Sequence, residues 1–149
     1  MRLTVTDTLA IETHTLTKVY GSGHTEVVAM REASLSVGRA QCVALIGPSG
    51  AGKSTFLTAV GLINPPTSGR ITIGGRLVMD GPRALTNPTA FRRRHIGYVS
   101  QKTNLVRFLT ARENVQVALE LNGESARTAR RRALELLETP LGGCLGDEL

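Results

Sequence analysis

The spacing of apolar residues changes character several times along the chain. From Ile11 to Tyr20 threonine and valine dominate with partial alternation, which predicts a strand. Gly21-Ser22-Gly23-His24 is a turn. Val27-Val28-Ala29-Met30 and Ala33-Ser34-Leu35-Ser36-Val37 then predict two more short strands. Gln41-Cys42-Val43-Ala44-Leu45-Ile46 is a short apolar run, which predicts a buried strand. Phe56-Leu57-Thr58-Ala59-Val60-Gly61-Leu62 has its apolar residues at helical spacing, and Asn64-Pro65-Pro66 is a stop signal.

A second β section follows. Thr67-Ser68-Gly69 is a turn, Arg70–Ile73 a strand, Gly74-Gly75 a hairpin turn and Leu77–Met79 the partner strand. After the turn at Asp80-Gly81-Pro82, Asn87 to Arg94 predicts a short helix with Pro88 in its first turn. His95-Ile96-Gly97-Tyr98-Val99-Ser100 predicts a second buried strand, ending at Gln101.

Beyond Gln101 the pattern is helical. Thr110 and Glu113 have capping-box spacing ahead of Val117, Ala118 and Leu121. Asn122-Gly123 breaks that helix. Residues 125–138 predict another, with Ala126, Ala129, Ala133, Leu134 and Leu137 on one side and Thr139-Pro140 as its stop. The tail, residues 139–149, is glycine-rich and irregular, and residues 1–10 carry no strong signal. Antiparallel strands that feed a parallel core and then helices predict an α/β fold.

Composition narrows the class. The 149 residues are 41% apolar and 20% charged, an ordinary globular balance, and long enough for one core. Aromatics are only 3%, so that core must be aliphatic. The net charge of +6 is uneven: residues 1–75 hold 6 basic and 4 acidic side chains, residues 76–149 hold 12 and 8. Arg92-Arg93-Arg94 and Arg130-Arg131-Arg132 carry the excess. A basic nucleic-acid-binding module is one reading of them, but no nucleic-acid-binding signature accompanies the arginines, and a solvated helix face explains them. Cys42 and Cys144 have no metal-ligand or disulfide spacing, and Cys42 is expected as a small apolar residue in its strand. The N-terminus has no signal-peptide core, and no apolar run reaches the roughly 20 residues of a membrane span.

The candidate chemistry lies between the predicted strand at 41–46 and the helix after it. Gly47-Pro48-Ser49-Gly50-Ala51-Gly52-Lys53-Ser54-Thr55 fits G-x-x-x-x-G-K-[ST], a phosphate-binding loop. Glycines let the backbone wrap closely around a polyphosphate, with successive N–H groups turned inward. Lys53 would meet the β- and γ-phosphates, and the Ser54 hydroxyl would bind Mg2+. A helix starting here aims the positive end of its dipole at the anion.

With these residues placed, the chain from about Ile11 to Glu138 resembles the ATP-binding subunit of an ABC transporter. Thr17-Lys18-Val19-Tyr20-Gly21 is similar to the family's A-loop, and Gly47 to Thr55 to its Walker A motif. Pro66-Thr67-Ser68-Gly69 with Ile71-Thr72-Ile73-Gly74-Gly75 resembles the hairpin after the first helix. Ile96-Gly97-Tyr98-Val99-Ser100-Gln101 resembles the strand that ends at the Q-loop. Leu109-Thr110-Ala111-Arg112-Glu113-Asn114-Val115 is similar to the start of the helical subdomain.

The resemblance implies a P-loop NTPase core with an N-terminal antiparallel β-lobe and the start of an α-helical subdomain, incomplete. Residues 11–101 would form the lobe and core, 102–138 the subdomain and 139–149 the tail of a partial nucleotide-binding domain. It implies ATP and Mg2+ as ligands. Tyr20 would stack on adenine, and Gln101 would complete the Mg2+ shell or orient water. The implied partners are an integral-membrane subunit and a second nucleotide-binding subunit, with no nucleic acid. The place implied is the cytoplasmic face of the membrane. Gly21 to Met30 resembles exporters of the lipoprotein-release and macrolide-efflux type. His24 and His95 have no motif neighbours and are expected as turn and helix-end residues.

Departures from the family pattern shape the chemistry. L-S-G-G-Q does not occur, and Gly142-Gly143 lacks the flanking residues to replace it. Asp147-Glu148 follows Cys144-Leu145-Gly146 rather than an apolar strand, so it is no Walker B motif. No D-loop or switch histidine follows. The expectation is a truncated, frame-interrupted or fragmentary chain that binds ATP without turning it over alone, marginally stable by itself. A different P-loop enzyme, such as a small-molecule kinase, is the alternative. That class places its acceptor site where this chain predicts a hairpin.

Overall fold

The computed structural model describes residues 9–101 and 104–138. The chain forms two compact units, divided between Tyr98 and Val99. The readings of residues 1–8 as a loose end, of Thr139-Pro140 as a helix stop, and of the tail with Cys144 lie outside the described residues.

The first unit is built on a five-stranded antiparallel sheet in the order β2-β1-β3-β4-β5. Its strands are β1 (Ile11–Tyr20), β2 (Val27–Val37), β3 (Ser68–Ile73), β4 (Arg76–Asp80) and β5 (Arg83–Ala84). The two strands expected at 27–30 and 33–37 are one, with Glu32 at φ +48° between them. The register of β1 on β2 shifts between Thr13 and Leu16 and again before Lys18. Hydroxyls replace ladder bonds there: Thr15 N–H donates to Ser34 Oγ at 2.8 Å, and Glu32 N–H to Thr17 Oγ1 at 3.0 Å. Thr17 of β1 and Ser34 of β2 therefore use their hydroxyls to close the irregularities in the ladder.

Helix α1 (Lys53–Val60) lays Phe56 and Ala59 on the sheet, where Leu16, Met30, Ile71 and Val78 complete a core. The core is aliphatic apart from Phe56 and Phe91. Helix α2 (Pro88–His95) starts with Asn87 Oδ1 accepting from Ala90 N–H at 3.0 Å, and Pro88 sits in its first turn as expected. Phe91 anchors it, and His95 stacks on Phe91 with ring centroids 4.5 Å apart.

Two strand expectations are corrected. Residues 41–46 and 96–100 are extended but join no sheet. Only Leu45 and Ile96 of these segments rest against the core; Ile46 is 93% and Val99 97% exposed. Cys42 is exposed, not buried in a strand. The reason is pairing: an apolar run becomes a strand only beside another backbone, and among the described residues no strand of the sheet pairs with either segment.

The second unit contains α3 (Ala111–Leu121) and α4 (Ala126–Glu138), packed against one another. The capping box at α3 is formed: Glu113 N–H donates to Thr110 Oγ1 at 3.3 Å, and Thr110 N–H to Glu113 Oε2 at 2.8 Å. Ser125 caps α4, its Oγ accepting from Thr128 N–H at 3.3 Å. Of the apolar stripe expected on these helices, Ala129 and Ala133 are buried, whereas Leu121, Leu134 and Leu137 remain largely exposed.

Candidate nucleotide site

The loop Gly47–Thr55 turns the chain from the extended segment 41–46 into α1. Gly52 is the residue that makes this turn, at φ +83°, directly before the first helical residue. The first bond of the helix runs from Phe56 N–H to Gly52 C=O, 2.8 Å. The N–H groups of Lys53, Ser54 and Thr55 precede that bond, so the helix makes no use of them. Gly50 faces open space: a Cβ built there meets nothing within 4 Å. Ala51 N–H bonds back to Pro48 C=O at 3.3 Å and holds the loop closed on itself.

Lys53 supplies the formal charge. Its Nζ donates to Gly47 O at 2.7 Å and Pro48 O at 2.6 Å, so the ammonium is clamped across the loop. Both acceptors are neutral carbonyls, and a charged oxygen binds an ammonium more strongly. Ser54 follows, exposed. A concave space of about 400 Å³ adjoins the loop, bounded by Gly52, Lys53 and Phe56 on one side and Met30 and Leu35 on the other. Unspent N–H donors, a helix N-terminus, one clamped cation and an unobstructed glycine fit the residues to a polyphosphate. Among the described residues no cluster of three His, Cys, Asp or Glu exists. A divalent cation would therefore rely on the Ser54 hydroxyl and on oxygens of the anion itself.

Tyr20 ends β1 and is 42% exposed. Lys18 Nζ lies over the ring, 5.2 Å from the centroid, and also donates to Pro65 O at 2.6 Å. One face of the ring therefore faces a cation. Tyr20 Oη accepts from Asn64 Nδ2 at 2.5 Å. Sequence reasoning missed Asn64 and Lys18 as supports of this ring. Asn64 read only as part of a helix stop, and no local pattern joins residues 44 positions apart. Gln101 is exposed at a bend in the second unit, whereas Tyr20 and the loop belong to the first.

His24 lies in a short 3-10 turn (Gly23–Thr25) and His95 at the end of α2, as expected. The arginine clusters are partly engaged. Arg92 donates from Nη1 to Leu62 O, Arg132 pairs with Glu124 at 2.5 Å and Arg131 with Glu135 at 3.6 Å. Among the described residues no helix is long and apolar enough to cross a membrane.

Comparison with known proteins bears directly on this geometry. The model of the family described as ABC transporter matches residues 30–142, which includes the whole loop. The chain belongs to the ABC transporter family. It is 46% identical over 124 residues to the lipoprotein-releasing system ATP-binding protein LolD of Cereibacter sphaeroides, covering 82% of this chain and 54% of that protein. It is 42% identical over 132 residues to the methionine import ATP-binding protein MetN of Streptomyces avermitilis, covering 86% and 38%. A solved dimer of the ATP-binding cassette MJ0796, in a post-hydrolysis state bound to ADP and Pi, superposes with a TM-score of 0.73 at 34% identity. That match covers 85% of this chain and 55% of the solved one. This ABC chain thus has the cassette fold over part of its extent, and spans about half the length of LolD.

Proposed function

We propose that this chain is the nucleotide-holding part of an ABC transporter's ATP-binding subunit and binds Mg-ATP at residues 47–55. The observation that carries this reading is the set of unspent N–H groups at Lys53, Ser54 and Thr55 beside the clamped Lys53 ammonium. A triphosphate would draw that ammonium off two neutral carbonyls toward its β- and γ-oxygens. Ser54 would supply a protein oxygen to Mg2+, with Gln101 as a second contact or as the group that orients water. Tyr20 would take adenine on the ring face away from Lys18. Mg2+ held on the Ser54 hydroxyl would supply charge neutralisation to the phosphates.

Transport energised through a membrane partner, and a second ATP-binding subunit across the nucleotide, follow as parts of the same proposal. They place the chain on the cytoplasmic face of a membrane. The exporter reading rests on residues 21–30 and on the likeness to LolD; the likeness to MetN, an import protein by its name, is the consideration against it. The chain alone is proposed to bind without turnover, because no apolar strand in its sequence ends in the carboxylate pair that would orient water. A small-molecule kinase is disfavoured by the β3–β4 hairpin that follows α1. Nucleic-acid binding is disfavoured by the intramolecular bonds of Arg92, Arg131 and Arg132.

The test is equilibrium binding of a fluorescent ATP analogue with Mg2+ to the chain and to Lys53→Ala. Affinity should fall by at least about tenfold in the variant, the loss of one charge-assisted contact. Equal affinity would remove the loop from the reading.

A further inference from the structure

Four consecutive residues at the end of β1 are fastened to the turn that follows α1. Thr67 N–H donates to Thr17 O at 2.8 Å, and Lys18 Nζ to Pro65 O at 2.6 Å. Val19 N–H donates to Thr67 Oγ1 at 3.0 Å, and Asn64 Nδ2 to Tyr20 Oη at 2.5 Å. The turn is itself tied to the helix, since the Ile63 and Asn64 N–H groups both donate to Thr58 O, at 2.9 and 3.1 Å. Pro65 and Pro66 stiffen its backbone, and Pro66 is fully buried. Tyr20 is thus anchored at one end of α1, and the glycine loop at 47–55 runs into the other. Eight helical residues, about 12 Å of rise, join the two.

Lys18 differs from the other three ties because it also meets the ring. Its Nζ lies 5.2 Å from the Tyr20 centroid while bonded to Pro65 O. That bond fixes the ammonium, and the ammonium attracts one face of the ring through its π-electrons. We infer that Lys18 is a positioning residue for the base of the nucleotide. It closes one face of Tyr20 and, through Pro65, holds the ring at a set place relative to the phosphate loop. The base then stacks on the other face while its phosphates lie at 47–55. The inference rests on the nucleotide reading above and extends it to a side chain that touches neither base nor phosphate. An unheld ring at a strand end loses freedom when a base stacks on it, whereas a ring held beforehand loses little, so affinity rises. A direct contact of Lys18 with phosphate is disfavoured, since its ammonium is committed to Pro65 O and the ring, beyond the opposite end of α1 from Lys53.

Two ligands separate positioning of the base from contact with phosphate: ATP, and inorganic tripolyphosphate, which has phosphates but no base. Each is titrated calorimetrically with Mg2+ into the full chain, Lys18→Met and Lys18→Arg. Lys18→Met keeps an unbranched side chain and removes the charge. It should weaken ATP binding by about fivefold or more, the scale of a cation–π contact together with a bond from a charged donor, and leave tripolyphosphate within about twofold. Lys18→Arg keeps a cation for both the ring and the Pro65 carbonyl, and should restore most of the ATP affinity. Unchanged ATP affinity in Lys18→Met overturns the inference. A parallel loss of both ligands also overturns it, by making Lys18 a phosphate contact or a part of the fold, as does failure of Lys18→Arg to restore binding. Should the unsubstituted chain bind tripolyphosphate as tightly as ATP, the base platform falls while the phosphate loop stands. Should it bind neither, the nucleotide reading falls and this inference with it.

Discussion

A Cβ placed on Gly52 would stand 2.5 Å from the carbonyl oxygen of Ala29. The glycine loop at 47–55 is thus pressed against β2 at Gly52, the residue directly before α1. Gly50 has nearly the same backbone angle, φ +81° against +83°, but no neighbour within 4 Å of its built Cβ. The two glycines separate backbone strain from steric contact. Gly50→Ala should cost about 1 kcal/mol from the left-handed backbone alone. Gly52→Ala should cost about 2–4 kcal/mol, because Ala29 or α1 must also move. Denaturant midpoints of the two variants without nucleotide check this; equal losses would mean that the contact with Ala29 is not made.

Arg92 differs from its neighbours in the run Arg92-Arg93-Arg94. It is half-buried and donates to the Leu62 carbonyl just beyond α1, tying α2 to that end of α1. Arg92→Ala should lower stability by about 1.5–3 kcal/mol, as for a bond from a charged donor. Arg93→Ala and Arg94→Ala should each stay within about 0.5 kcal/mol. Comparing the three melting curves decides whether this arginine is structural or, like the others, solvated.

The Glu113 carboxylate accepts from the Thr110 backbone N–H and hydroxyl, and these bonds hold its pKa below the ordinary glutamate value. A depressed carboxylate stabilises the folded helix above its unfolded pKa, and the contribution disappears as pH falls through the lower, folded value. Helicity of α3 should therefore decline only in acid below the ordinary glutamate range. Glu113→Gln should flatten that part of the curve. Thr110→Ala should cost about 1 kcal/mol at neutral pH. Far-ultraviolet circular dichroism against pH reads all three.

Much of this was legible beforehand, for local reasons. The capping box, the Asn87-Pro88 helix start and the glycine loop each depend on residues within a few positions, so spacing alone revealed them. The partial alternation in β1 has an interstrand cause: the register shift between Thr13 and Leu16 accompanies the burial of those two residues, three apart. What failed was non-local. Residues 41–46 and 96–100 carry strand-like sequences, yet a strand requires a neighbouring backbone that no local pattern reveals. Asn114 is a further example: it read only as part of the α3 start, but its Nδ2 donates to the Val106 and Leu109 carbonyls and closes the preceding loop.

Tyr20 separates a stacking ring from a merely structural one. Tyr20→Phe keeps the ring and removes only the acceptor for Asn64 Nδ2. It should leave ATP-analogue affinity within about threefold, since one neutral hydrogen bond is worth only about 1 kcal/mol. Tyr20→Ala should weaken affinity on the order of tenfold or more, the scale of base–aromatic stacking. Equal behaviour of the two variants would assign Tyr20 to the fold instead.

The central proposal is that the loop at 47–55 holds ATP and that the chain alone does not turn it over. Radiolabelled ATP with Mg2+, incubated with the purified chain and assayed in one sample for bound nucleotide and released product, tests it most directly. One ATP bound per chain, with ADP no higher than in a protein-free control, is the predicted result. ADP accumulating in proportion to the concentration of the chain, or no ATP bound, would contradict it.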